Sequence, residues 1–278
     1  MKQQALLPLV TYPDANSDAI AANAVAIAKW IGAELHALAL NVDIPSLSSP
    51  LSHMFLNVPE MVSDAEASSR RRGDHLLEAV EQQSMVAGIQ LTTDRISTLL
   101  ALLTETPATY ARYHDISLVG WEADNETCRT ISESILFGSG RPAVLMPEHV
   151  GPSSLHHVAI AWDGSRVAAR AVADARPFLS RATRISVFTV SDEKPLKEKD
   201  AGDRLAEGLR ARGLSAEAVS LMGEGHPIAQ TLQQGALERE CKLLVMGAYG
   251  HSRMRDFVLG GATGGILKEL LMPVMLSH

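Results

Sequence analysis

Cysteine is nearly missing from this chain of 278 residues: only Cys128 and Cys241 occur, far apart and without a CxxC or other ligand spacing. That excludes a disulfide framework and a thiolate metal site, and both read as inert thiols of a reducing compartment. Aromatics are scarce as well, at 4%. No run approaches the roughly 18 apolar residues of a membrane-spanning helix. Positive charge is in deficit: the net charge is −7, which argues against nucleic acid or an anionic membrane as the main partner. The basic cluster Arg70–Arg71–Arg72 reads as the solvated face of a helix. The opening "MKQQALLPLVTYPDANSD" is broken by Pro8 and Pro13 and lacks a cleavable apolar core, so a cytoplasmic protein is expected. There is no GxxxxGK[ST], no GxGxxG after a first strand, no GxSxG and no HExxH. The common phosphate loops and hydrolase signatures are therefore excluded.

What is present is alternation, written twice. Short β-type runs alternate with helical segments, for example "ALLPLVTY" followed by Ile20, Ala24, Ile27 and Ile31 at helical spacing. Such alternation predicts a parallel sheet covered by helices on both faces. From about residue 153 the series restarts with "HHVAIAWDGS" and closes with "KLLVMGA" and "PVMLSH". Tyr12 aligns with Trp162 and Leu40 with Val190, both at an offset of 150, whereas Gly120 aligns with Gly247 at 127. The first copy thus holds 150 − 127 = 23 extra residues, and "DIPSLSSPLSHMFLNVPEMVSDAEA" is expected to carry them as a surface loop. Pro142 aligns with Pro273 at 131, so the first copy is 131 − 127 = 4 residues shorter between its last two strands. Two domains are expected, 1–150 and 151–278, with 147–157 as linker.

The stretch "VMGAYGHSRMRDFVLGGATGGILKELLMPVML" carries the chemistry. Gly247 closes an apolar strand, Gly250 follows, and Gly260, Gly261, Gly264 and Gly265 precede helical spacing at Ile266, Leu267, Leu270 and Leu271. Bare backbone at the carboxyl end of a parallel strand permits close approach of a ligand, and free N–H groups at a helix start suit phosphate. A plain turn with a tight helix–strand contact explains the same glycines. From the residues alone the two readings stand level.

The spacing G-x2-G-x9-G at Gly247, Gly250 and Gly260, the turn "IAWDGS" with Asp163, and the closing strands "RPAVLMP" and "MPVMLSH" resemble the universal stress protein family as a tandem pair. The resemblance implies two Rossmann-like α/β domains, each a five-stranded parallel sheet with helices on both faces, and ATP as ligand, with or without magnesium. It implies that Ala161, Trp162 and Asp163 lie at the adenosine and that the Val190 backbone reads the adenine edge. Met246, Gly247, Gly250 and His251 would lie near ribose and phosphates, with Gly260, Gly261, Ala262 and Thr263 at the phosphates. Gly261 stands where the family has serine or threonine, leaving Thr263 to supply a hydroxyl. In the first copy Pro13 replaces Asp163, and Gly120 is followed by "WEADNETCRTISESILFGSG"; Asp124 and Glu126 oppose phosphate there. No nucleotide is expected in that half. No nucleophile–base pair occurs, so the chain reads as a nucleotide-binding regulator with at most slow hydrolysis. The alternative is an interaction module, or a binder of another small ligand in the first half. The closing strands are expected to pair the halves as a family dimer pairs, and a further homodimer is compatible with the sequence.

Overall fold

A computed structural model of the chain describes residues 2–45, 58–123, 125–147, 151, 154–192, 198–248 and 261–278. The first half runs β1 (Gln3–Val10), α1 (Ala19–Ile31), β2 (Ala33–Asp43), α2 (Val58–Ala87), β3 (Leu91–Leu99), α3 (Glu105–Ala111), β4 (Ile116–Trp121), α4 (Glu126–Gly138) and β5 (Ala143–Pro147). The second runs β6 (His157–Ala161), α5 (Arg166–Asp174), α6 (Arg176–Leu179), β7 (Arg184–Val190), α7 (Ala201–Arg210), β8 (Ala216–Leu221), α8 (Ile228–Glu238), β9 (Leu243–Gly247), α9 (Ala262–Ile266) and β10 (Val274–Ser277).

The two expected five-stranded sheets are one sheet of ten, in the order β3-β2-β1-β4-β5-β10-β9-β6-β7-β8. Every pairing is parallel except the joint between the halves, where β10 runs antiparallel to β5 through Val274↔Leu145, Met275↔Val144 and Leu276↔Ala143. All six of these side chains are buried. The closing strands therefore pair the halves as the sequence implied. Strands buried on both faces read as apolar runs rather than alternating ones. Each face carries one apolar core shared by both halves. Leu7, Leu9, Ile27, Leu76, Phe178 and Val245 belong to one, and Leu6, Ile135, Phe188, Leu232 and Leu276 to the other.

Local chemistry sets the helix ends. Helix α1 is alanine-rich, buries Ile20, Ala24, Ile27 and Ile31, and stops at Gly32, whose φ of 70° admits the left-handed cap. Arg181 of the second half donates to Trp30 O at 2.7 Å, placing a cation at the carboxyl end of that helix. Helix α5 starts at Ser165, whose side chain accepts from Ala168 N–H.

Three expectations change. Residues 58–67 of the expected surface loop begin the 30-residue α2; the rest of that loop from 46 lies outside the described residues. Helix α9 spans five residues and stops before Leu270 and Leu271, whose spacing had suggested a longer helix. Gly264 and Gly265 disfavour propagation, and Pro273 is close behind. Leu155, inside the expected linker, is buried in the core of both halves.

Gly247 also changes meaning. A Cβ built on it would lie 2.5 Å from Val167 C and 2.6 Å from Ala168 N, the main chain of α5. Gly120, its counterpart, would meet Ile20 Cδ1 at 2.6 Å and Asn16 Nδ2 at 2.8 Å. In both halves this glycine lets the first helix sit against the fourth strand. Its bare side faces a helix rather than open space.

Gly247→Ala is expected to cost about 3 kcal/mol in chemical denaturation, because main chain cannot yield as a side chain can. Gly208→Ala, in α7 where a Cβ meets nothing within 4 Å, is expected to stabilise by about 0.5–1 kcal/mol. Equal stability of the two variants would contradict the packing role of Gly247.

Candidate functional site

In the second half the chain passes from β6 to β7 and β8 on one side, then crosses to β9 and β10 on the other. The crevice at this switch point opens at the carboxyl ends of β6 and β9. There Ala161 ends β6 and is followed by Trp162 and Asp163, while Met246 and Gly247 end β9 and are followed by Ala248.

The "DGS" turn is internally braced. Asp163 Oδ1 accepts from Ser165 N–H at 2.9 Å, and Gly164 takes φ 74°. This orients the exposed Asp163 carboxylate while Ser165 caps α5. Trp162 packs on the core, and its Nε1 is buried without a partner among the described residues. The ladder between β6 and β7 pairs through Ala161↔Phe188, and one further rung follows, Trp162 N–H to Phe188 O at 2.8 Å. Val190 lies two residues beyond Phe188. Strand alternation aims its main-chain groups toward the same side, since Ser191 N–H turns the other way to Leu221 O. Met246 is buried, and Gly247 is half-buried against α5.

A second brace, which the sequence reading missed, lies at the end of β7. Asp192 accepts from Gly223 N–H at 2.7 Å and Glu224 N–H at 2.9 Å. These donors hold its carboxyl below the ordinary 3.8, as an ionised acceptor requires. Glu224 and Gly225 both take positive φ, at 50° and 81°. The signal in the sequence was the "GEG" turn facing an aspartate one residue beyond the strand partner Ser191. His226 is exposed in this turn.

At the start of α9, Gly261 has φ 91°, a region that serine and threonine rarely adopt. Glycine there is a backbone requirement. Thr263, assigned to replace the missing hydroxyl, is 6% exposed. Gly265 allows α9 to touch α8, since a Cβ on it would lie 2.5 Å from Ala229 Cβ. The expected ligand residues Gly250, His251 and Gly260 lie outside the described residues, as does Asp124 in the first half.

The same crevice in the first half is built differently. Thr11, the counterpart of Ala161, donates from Oγ1 to Leu40 O at 2.7 Å, and Leu40 is the counterpart of Val190. Thr11 Oγ1 also lies 2.6 Å from Ser69 Oγ of α2, which accepts from Val42 N–H at 3.0 Å. Gly73 brings α2 down onto this layer; a Cβ there would meet Asn41 Oδ1 at 2.6 Å and Thr11 Cγ2 at 3.4 Å. Asn16 closes the β1–α1 turn by accepting from Val10 N–H at 2.7 Å. Among the described residues no side chain takes up the Val190 carbonyl as Thr11 takes up that of Leu40. Arg71, Arg72 and His75 line a small cavity of about 230 Å³ beside this layer. Arg72 donates to Pro13 O, and His75 meets Asp18.

The adjacent histidines at the opposite end of the sheet serve packing. His157 Nε2 lies 2.9 Å from Ser186 Oγ, and burial holds its imidazole below the ordinary value of 6.5. His156 stacks edge-on against Trp30. Cys241 is buried, which pushes its thiol up to about 12 and leaves it unreactive. Among the described residues no three His, Cys, Asp or Glu side chains gather as a metal site, and no helix is long and apolar enough to cross a membrane.

Comparison with known proteins agrees with this architecture. Residues 154–278 match the model of the Universal stress protein family. No curated protein matches the chain. Among solved structures, a universal stress protein from Archaeoglobus fulgidus DSM 4304 is similar over 99% of this chain and 96% of its own, with a TM-score of 0.72 at 19% identity. A functionally unknown protein from Pseudomonas aeruginosa PAO1 is similar over 99% and 92%, with a TM-score of 0.55 at 13% identity. Residues 154–278 are thus similar to the Universal stress protein family, and the whole chain carries the α/β fold of a solved universal stress protein.

Proposed function

We propose that this protein is a stress-response regulator that binds one adenine nucleotide, ATP with or without magnesium, in its 151–278 half and none in its 1–150 half. The observation that carries the proposal is the contrast between the two crevices. Thr11 occupies the Leu40 carbonyl in the first half, and Ala161 has no hydroxyl to do the same at Val190. An adenine needs one donor and one acceptor along its edge, which a free stretch of main chain supplies. Asp163, held by its own turn, offers a carboxylate to the ribose or the purine. The glycine loop from Gly247 through Gly250 and Gly260 to Gly261, Ala262 and Thr263 is assigned to the phosphates, with His251 beside them.

Binding, with at most slow hydrolysis, is the assigned activity. A second reading draws on Gly261 and Thr263. The first has no hydroxyl and the second is buried, so a hydrogen bond to a charged phosphate worth about 1.5–3 kcal/mol is missing. On that reading the chain is an interaction module that has kept the fold.

Calorimetric titration of the full chain with ATP separates the two. The expected result is one nucleotide per chain. Absence of heat at millimolar ATP would establish the interaction module, and two sites per chain would overturn the account of the first half. Asp163→Asn keeps an oxygen for Ser165 N–H while removing the charge. It is expected to weaken ATP binding about tenfold with little change in stability; undiminished affinity would remove Asp163 from the site.

The Asp192 brace carries its own pH signature. Its folded value lies below the unfolded one, so its contribution is complete above about 3.8 and is lost as pH falls through the lowered value. A carboxyl-carbon NMR titration of Asp192 is expected to give a midpoint below 3.8; one at or above it would mean the Gly223 and Glu224 donors do not hold the carboxylate.

A further inference from the structure

The pairing of β9 with β10 runs through Leu276↔Met246 and Ser277↔Gly247, and Ala248 N–H adds a rung to Ser277 O at 2.7 Å. The next acceptor along the strand, the Ala248 carbonyl, takes its hydrogen bond from a side chain: His278 Nδ1 lies 3.0 Å away. Because a carbonyl only accepts, Nδ1 carries the hydrogen. Both main-chain groups of Ala248 are thus fixed by the end of β10. Ala248 is the residue at which the chain leaves the strand, directly after Met246 and Gly247.

The imidazole is held from the other half of the molecule. Phe137 of α4 meets it edge to face, with ring centroids 5.4 Å apart and an interplanar angle of 81°. Phe137 itself packs against the core that contains Leu276 and Ala248. On the opposite side, Ser277 Oγ donates to Asp174 Oδ2 of α5, which also receives Arg170 Nε. The exit from β9 is therefore clamped between a first-half aromatic ring and a second-half helix.

We infer that His278 and Phe137 are positioning residues for the nucleotide site of the second half, setting the ribose–phosphate side of the crevice through Ala248. This rests on the nucleotide reading given above. By geometry the strut acts on β9 and leaves the adenosine side, Asp163 in the turn after β6 and Val190 at the end of β7, untouched. It also gives the first half a part in a site whose ligand contacts all lie in the second. Neither residue touches the ligand; each acts through the Ala248 main chain.

The test compares ATP with adenosine on the full chain, by calorimetry for ATP and ligand-observed NMR for adenosine. His278→Ala is expected to weaken ATP about fivefold, the worth of one ordinary hydrogen bond, while adenosine affinity stays unchanged and so reports an intact fold. His278→Asn, which retains an N–H donor, is expected to recover most of the ATP affinity. Phe137→Leu, which keeps an apolar side chain without the ring edge, is expected to reproduce part of the loss. Equal losses for ATP and adenosine, or no loss for either, would overturn the inference while leaving nucleotide binding in place. If the unaltered protein binds neither ligand, the nucleotide reading itself fails, and this role fails with it.

Discussion

The antiparallel joint between β5 and β10 is the constraint on which the molecule depends. Three residue pairs, Val274–Leu145, Met275–Val144 and Leu276–Ala143, turn two parallel sheets into one. Once that joint forms, both apolar cores run across the boundary, so Leu155 of the expected linker is as buried as any strand residue. Secondary bonds follow the same logic. Arg181 reaches back to the end of α1, and Phe137 reaches forward to His278. Neither half keeps a core of its own, and large apolar burial shared between halves makes independent motion costly.

Much of this was legible because the signals were long-range and redundant. Offsets of 150, 127 and 131 placed the strands of the second copy correctly, and Pro142 and Pro273 marked the starts of the two central strands. Asp163 was legible as a turn residue because "DGS" before a helix has few other uses. What failed was local. The start of α2 carries Pro59 and polar residues with little apolar pattern, so it looked like loop; its helix is held by later contacts, at Leu76, Leu77 and Val80. In α9, Leu270 and Leu271 kept helical spacing without a helix, since spacing says nothing about glycine's cost in propagation.

The glycines show where sequence reasoning needed three dimensions. Gly247 and Gly120 were matched as counterparts, and only Gly247 belonged to a ligand motif. In space both do the same job of admitting a helix against the fourth strand. The motif's first glycine is thus demanded by packing whether or not a ligand is present. Gly261, by contrast, answers to its φ of 91°. The difference between the halves lies in less conspicuous positions, in a threonine against an alanine and in a long helix laid across one crevice.

Seen as connectivity, the chain is saturated at its middle. The strand edge that a single five-stranded domain would offer to a twin is already occupied by its own second copy. The edges left are β3 and β8, at opposite ends of the ten-stranded sheet. β3 carries Arg95 in an ion pair with Asp74, and β8 carries Glu217 bound to Arg184. Charged side chains on a terminal strand discourage another strand from adding. Strand addition is thus disfavoured at both remaining edges, which leaves helices and loops as the surfaces better suited to contact.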